Sequence, residues 1–188
     1  MMAAWGARRT CALVSIAAVA ATMLGGCATQ QLLPYQASVA NQMRLGSLPP
    51  TARFQVAAGG VEPSDVRTTI RALRISAPNE GSWAAYLDQA LRTELATSGN
   101  YDAEAPARIE ATLLEVHIAD GEAEVTGRFI VRQGVSVRYD KVLRADARWD
   151  SAFLGVVATS SGLNQSTAIF QALLRNLFAD PDFARSAT

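Results

Sequence analysis

Few side chains in this sequence of 188 residues combine a reactive type with a spacing that chemistry needs. His117 is the single histidine and so the single imidazole base, and alternation along an extended segment puts it on one face with Glu115. A working dyad needs a nucleophile held against the base. None accompanies this pair, and His117 reads as a half-exposed residue near a strand end. Ser160-Ser161-Gly162 lacks the flanking glycines of a strand-to-helix nucleophile elbow and reads as helix-capping material. Asp120, Glu122 and Glu124 crowd one turn without the pattern of a calcium loop, and read as a solvated acidic turn. Asn164-Gln165-Ser166 fits a glycosylation acceptor but carries no functional weight here. Arg128, Arg132, Arg138, Arg144 and Arg148 alternate with Asp140, Asp146 and Asp150. That mixture fits a salt-bridged solvated face, with a stripe for an anionic headgroup or glycan as the alternative. Trp83, Tyr86, Trp149 and Phe170 have the spacing of core residues rather than of a ligand cage. Cys11 and Cys27 are the only cysteines, too few for a disulfide framework or a Cys/His zinc site. The expectation is a protein that is not an enzyme, with no catalytic residues, no metal and no non-covalent cofactor.

Composition agrees with a folded domain. Apolar residues make up 49% of the chain, and 13 Gly with 7 Pro fall well short of low complexity. The 17 basic side chains balance 17 acidic ones, which argues against a nucleic-acid partner.

The elements that must position these residues begin with an address. Residues 1–26 have the layout of a secretory signal: Arg8-Arg9, an apolar run from Cys11 to Leu24, then small residues. The run is too short for the roughly 20 residues a spanning helix needs. Leu24-Gly25-Gly26-Cys27 resembles the bacterial lipobox, and the resemblance implies cleavage before Cys27, with diacylation of its sulfur and acylation of its new amine, palmitate being a typical chain. Ala28 after the cysteine, rather than Asp, implies delivery to the outer membrane. Several acyl chains on one residue exceed the two-signal threshold for stable anchoring. Loss of the signal removes Arg8 and Arg9 and no acid, leaving 15 basic against 17 acidic groups, so a polybasic patch is not what holds the protein.

Residues 27–51, rich in Gln, Ser, Pro and Ala without sustained period, read as the lipidated cysteine and a flexible tether reaching roughly 25–30 Å. Leu32, Leu33 and Tyr35 within it are placed to pack on the domain or on lipid. Residues 52–188 read as one periplasmic domain. Strands are expected over 52–57 and 69–76, then a helix capped by Ser82 and Gly99, burying Trp83, Tyr86, Leu87, Ala90, Leu91 and Leu95, with Asp88, Arg92 and Glu94 outside. A hairpin through Asp120-Gly121 joins strands over 108–120 and 122–133, the second with Val125, Phe129 and Val131 inward. Gln133-Gly134 turns into a third strand, where Val135, Val137 and Tyr139 alternate ahead of Leu143, Ala145, Ala147 and Trp149, with a bulge near Asp140. A helix over 163–179 buries Ile169, Phe170, Leu173, Leu174, Leu177 and Phe178 and stops at Asp180-Pro181. The order β-β-α-β-β-β-α makes an α+β fold, a mainly antiparallel sheet with two helices packed on one face.

A lipobox, then SWAAYLDQALRTEL, GRFIVRQGVSVRYDK and LLRNLFADPDF in a small α+β domain, resembles the small outer-membrane lipoproteins that serve as auxiliary components of envelope transport systems, including lipid-transporting ABC systems. The architecture is also similar to curli-secretion and penicillin-binding-protein-activator lipoproteins. The resemblance implies Cys27 as the lipid-bearing site, Leu24, Gly25 and Gly26 as the signal-cleavage motif, and no catalytic residue. It implies a lipid-anchored, periplasm-facing accessory or scaffold whose partners are the membrane and an envelope protein complex. The alternative is a periplasmic module that binds a small lipid or glycan between helices and sheet.

Overall fold

A computed structural model of the chain describes residues 28–57, 60–78, 81–150 and 155–186, with the side chains of 155–162 outside that description. Among the described residues the order is β1 (Ala28–Gln31), α1 (Val39–Leu45), β2 (Phe54–Val56), β3 (Asp65–Ile70), β4 (Leu73–Ser76), α2 (Trp83–Thr97), β5 (Ala107–Ala119), β6 (Glu122–Gln133), β7 (Ser136–Arg148), α3 (Gly155–Ala179) and α4 (Pro181–Ser186). The strands form one sheet in the order β1-β4-β3-β5-β6-β7, with β2 lying beside β5.

The α+β class and the antiparallel β5-β6-β7 meander match expectation. The rest of the sheet is mixed rather than mainly antiparallel. β2 and β3 pair parallel with successive halves of β5, because the chain returns to β5 only after crossing over through α2. The strand expected over 69–76 is two strands. Arg71, at φ 56°, turns β3 back onto β4, and its guanidinium holds Asp120 at 2.7 Å, tying this turn to the β5–β6 hairpin.

The largest correction concerns the tether. Residues 28–31 form β1, parallel to β4, and a helix comes next that Ser38 caps by accepting from Asn41 N–H. Leu32, Tyr35, Leu45 and Leu48 are buried in the same core as the sheet. The helix itself contributes only Asn41 and Leu45 to the buried side, four residues apart, and Leu32, Tyr35 and Leu48 lie outside it, so no sustained period marks the segment in the sequence.

α2 and α3 cover one sheet face. Trp83 stacks on Phe170 with ring centroids 5.8 Å apart, and Tyr86 meets the same ring edge-on at 4.9 Å. Gly127 lets α3 approach β6 closely, since a Cβ there would stand 3.3 Å from the Phe129 ring and 3.4 Å from Leu173. α2 ends as expected at Gly99, in the left-handed region at φ 77°, where Asn100 N–H donates to Leu95 and Gly99 N–H to Ala96.

The expected bulge is present, and it sits at Arg138, where two residues of β7 face one step of β6. It reverses the phase of the strand. Tyr139 turns inward while Val137 is 49% exposed and Val135, at the hairpin tip, 98% exposed, so neither valine joins the core. Asp180-Pro181 ends α3 and also starts α4, with proline at the first helical position and Asp180 accepting from Asp182 N–H. Phe183 of α4 stacks on Phe54 at 5.2 Å.

Candidate functional site

Cys27, with the cleavage motif Leu24, Gly25 and Gly26, lies outside the described residues, as does Cys11. Ala28 follows Cys27 directly and is the first described residue. It is already a strand residue of β1. The segment it opens is fastened by one carboxylate. Glu94 of α2 is fully buried, and its Oε1 accepts from the Tyr35 hydroxyl at 2.6 Å, Ser38 N–H at 3.0 Å and Asn41 Nδ2 at 2.7 Å. Its Oε2 accepts from Gln42 Nε2 at 2.6 Å, and that same nitrogen also reaches the Glu94 carbonyl.

All of these donors come from residues 35–42, and such an all-donor shell is what a carboxylate requires. Burial, then the Glu94 hydrogen bond and charge, push the Tyr35 phenol far above its ordinary range. Asn41 also donates to the Gln171 carbonyl of α3, and Gln171 returns a bond to the Gln36 carbonyl. Residues 35–42 are thus pinned to both helices, and residues 28–31 to β4.

Placing Glu94 outside the core was wrong. On the helical wheel it falls between Leu87 and Ala90, in the middle of the apolar stripe. A charge in that position signals a partner arriving from elsewhere in the chain.

Other candidate residues are dispersed. His117 does share the outward face with Glu115, but Arg67 takes that carboxylate at 3.0 Å, and the group within ion-pair range of His117 is Glu122 at 3.9 Å. Each member of the acidic turn has a partner: Asp120 meets the Arg71 guanidinium, Glu122 faces the His117 imidazole, and Glu124 meets Arg144 at 2.6 Å. Among the described residues no group of three or more His, Cys, Asp or Glu stands close enough to hold a metal ion. Of the five arginines, Arg128 pairs with Asp140 at 2.6 Å, Arg132 with Glu110 at 3.0 Å and Arg144 with Glu124, giving the salt-bridged face. The Arg128 guanidinium holds the Asp140 carboxyl below its usual range.

Trp83, Tyr86 and Phe170 are core, and Trp149 is partly buried against it. Ser166 of the glycosylation sequence is buried in α3. The side chains of Ser160 and Ser161 lie outside the described residues.

The space between helices and sheet is filled by side chains, Trp83, Tyr86, Phe129 and Phe170 among them. A cleft of about 640 Å³ instead opens beside the β3–β4 hairpin and the start of α2, lined by Arg67, Thr69, Arg74, Trp83 and His117 among others. Glu62 closes one end of it and acts as a remote cap on α2, accepting from Trp83 N–H and Ala84 N–H at 3.2 Å and from the Ser82 hydroxyl.

No family model matches the chain, and no curated protein matches it. Solved structures do. A Xanthomonas campestris protein of family model DUF330 superposes with a TM-score of 0.51 at 8% identity, covering 80% of this chain and 94% of that one. A hypothetical protein of Chlamydia trachomatis gives a TM-score of 0.44 at 14% identity over 67% and 92% of the two chains. A candidate lipoprotein of Caulobacter crescentus gives 0.43 at 11% over 78% and 95%. At these identities the likeness to the Xanthomonas protein is one of fold alone. No described helix is long and apolar enough to cross a membrane.

Proposed function

We propose that this chain is an outer-membrane lipoprotein, acylated on Cys27 and facing the periplasm, that serves without catalysis as an accessory or scaffold of an envelope transport or assembly complex. The observation that carries the reading is the fastening of residues 28–48 directly behind a lipobox. Ala28 is in strand, and the Glu94 latch holds the segment beyond it, so the anchor is coupled to the folded domain with almost no slack. An acyl anchor without slack confines the domain to one surface and fixes its orientation there. That raises its effective concentration for a membrane-embedded partner more sharply than a long tether would.

The contact with that partner is made at a sheet edge, since β1 and β7 end the strand order among the described residues. A second reading, binding of a small lipid headgroup or glycan, is favoured by the cleft of about 640 Å³, whose mixed lining sets Arg67, Arg74 and Thr69 beside Val66, Ile75 and Trp83.

In-cell crosslinking and affinity purification of the intact protein beside Cys27→Ala tests both. Recovery of an envelope transport or assembly protein with the acylated form only supports the accessory role. Acylation with a co-purifying lipid or glycan and no protein moves the assignment to the cleft.

A further inference from the structure

Folding of the expected tether leaves three large apolar side chains exposed in the segment that follows Cys27 in sequence. Leu33 is 72% exposed, Val39 78% and Met43 73%, although Leu32, Tyr35 and Leu45, interleaved with them, are among the most buried residues of the chain. Val39 and Met43 stand one turn apart on the solvent side of α1, whose other side carries Asn41 and Leu45. The exposure is therefore built in, because the Glu94 latch fixes which side of the segment faces the domain and which faces away.

We propose that Leu33, Val39 and Met43 form a membrane-contact face that lies on the bilayer next to Cys27, inserting among headgroups and setting the orientation of the domain. This rests on the lipoprotein reading above. Two further observations name the occupant as lipid. Leu33 is five residues beyond Ala28, so no more than about 18 Å of backbone separates it from the residue after the anchor. From Ala28 to Val61 the sequence contains Arg44 and Arg53 and no acidic residue, in a mature chain that is otherwise net negative. A segment that exposes apolar side chains and carries arginine without any carboxylate has the composition of one that lies in an interface containing anionic lipid. The outward sheet face, by contrast, carries alternating acidic and basic groups paired with one another.

The test uses the full acylated protein, in which Cys27 is modified and an introduced cysteine is the sole free thiol. Met43→Cys and Val142→Cys are each labelled with an environment-sensitive fluorophore and reconstituted on phosphatidylethanolamine–phosphatidylglycerol vesicles. Val142, 57% exposed, is the control, since it sits opposite Arg128 on the sheet face away from the helices. The expected result is a blue-shifted Met43 probe with several-fold weaker quenching by aqueous iodide, and an unchanged Val142 probe. If both probes stay aqueous while the protein is acylated and sediments with the vesicles, the contact face is overturned and the anchor stands. Shielding of both probes overturns a one-sided face. Absence of the acyl mass overturns the lipoprotein reading and the face with it. A Met43 probe that is aqueous on pure lipid but shielded in native envelope membranes assigns the surface to a protein partner, which also overturns the proposal.

Discussion

Glu94→Ala is the substitution with the most to lose. It leaves the Tyr35 hydroxyl and one of the two Asn41 Nδ2 hydrogens without an acceptor in buried positions, and Ser38 N–H in a partly buried one, while Asn41 keeps the Gln171 carbonyl and Gln42 keeps the backbone carbonyl of residue 94. A buried donor stripped of its partner costs about 1–3 kcal/mol, so the two buried groups alone amount to about 2–6 kcal/mol while the segment stays docked. The chain has a way to avoid that penalty: residues 28–48 lift off, and the donors meet water. The loss is then local, and it reads as a drop of about 2–4 kcal/mol in denaturant stability. Hydrogen exchange separates the two responses. Amides of Leu32 and residues 41–46 lose protection, while those of β5, β6 and β7 keep theirs. Glu94→Gln is milder, since an amide oxygen can still serve the donors now on Oε1 and Gln42 can rotate to offer its own oxygen. A Glu94→Ala protein within about 0.5 kcal/mol of wild type, or one that loses protection equally in α1 and β6, would refute the latch.

Burial raises the phenols of Tyr35, Tyr86 and Tyr139, with Glu94 adding to the first and Asp180 to the last. A group whose folded pKa is raised contributes stability that is intact below the unfolded tyrosine value of about 10 and is lost as pH rises above it. Denaturation midpoints should hold level up to that pH and then fall, and Tyr35→Phe should flatten the alkaline limb. Asp180 accepts from the Tyr139 hydroxyl at 3.1 Å, from Lys141 Nζ at 2.8 Å and from Asp182 N–H at 2.9 Å. Asp180→Asn should therefore cost about 1–3 kcal/mol in urea denaturation and raise hydrogen exchange in α4 first. Gly127→Val puts branched methyls against Phe129 and Leu173 and should cost about 1–3 kcal/mol, with thermal unfolding as the measure.

Where periodicity was strong, the sequence was sufficient. Trp83, Tyr86, Leu87 and Leu91 define α2, Asp120-Gly121 and Gln133-Gly134 define the meander, and the clash of phases around Asp140 located a bulge to within two residues. What escaped was non-local. β2 and β3 are short, and their parallel partner β5 lies beyond a helix, so alternation gives no sign of pairing direction. α1 has seven residues, with Asn41 and Gln42 facing the domain, and its place depends on Glu94, more than fifty residues away. Such a segment has no hydrophobic signature of its own, because a buried charge and side-chain amides hold much of it. Glu94 itself was legible in position, at the centre of an apolar stripe, but its partners were not.

The central claim is that a lipid on Cys27 anchors a domain that begins at once. Intact-mass and N-terminal peptide mass spectrometry of the membrane-fraction protein, beside Cys27→Ala, tests it most directly. The account predicts a mature chain starting at Cys27 and carrying the mass of its acyl groups, with the variant uncleaved or released from the membrane. A membrane-bound chain with an unmodified Cys27, or one cleaved elsewhere, would contradict it.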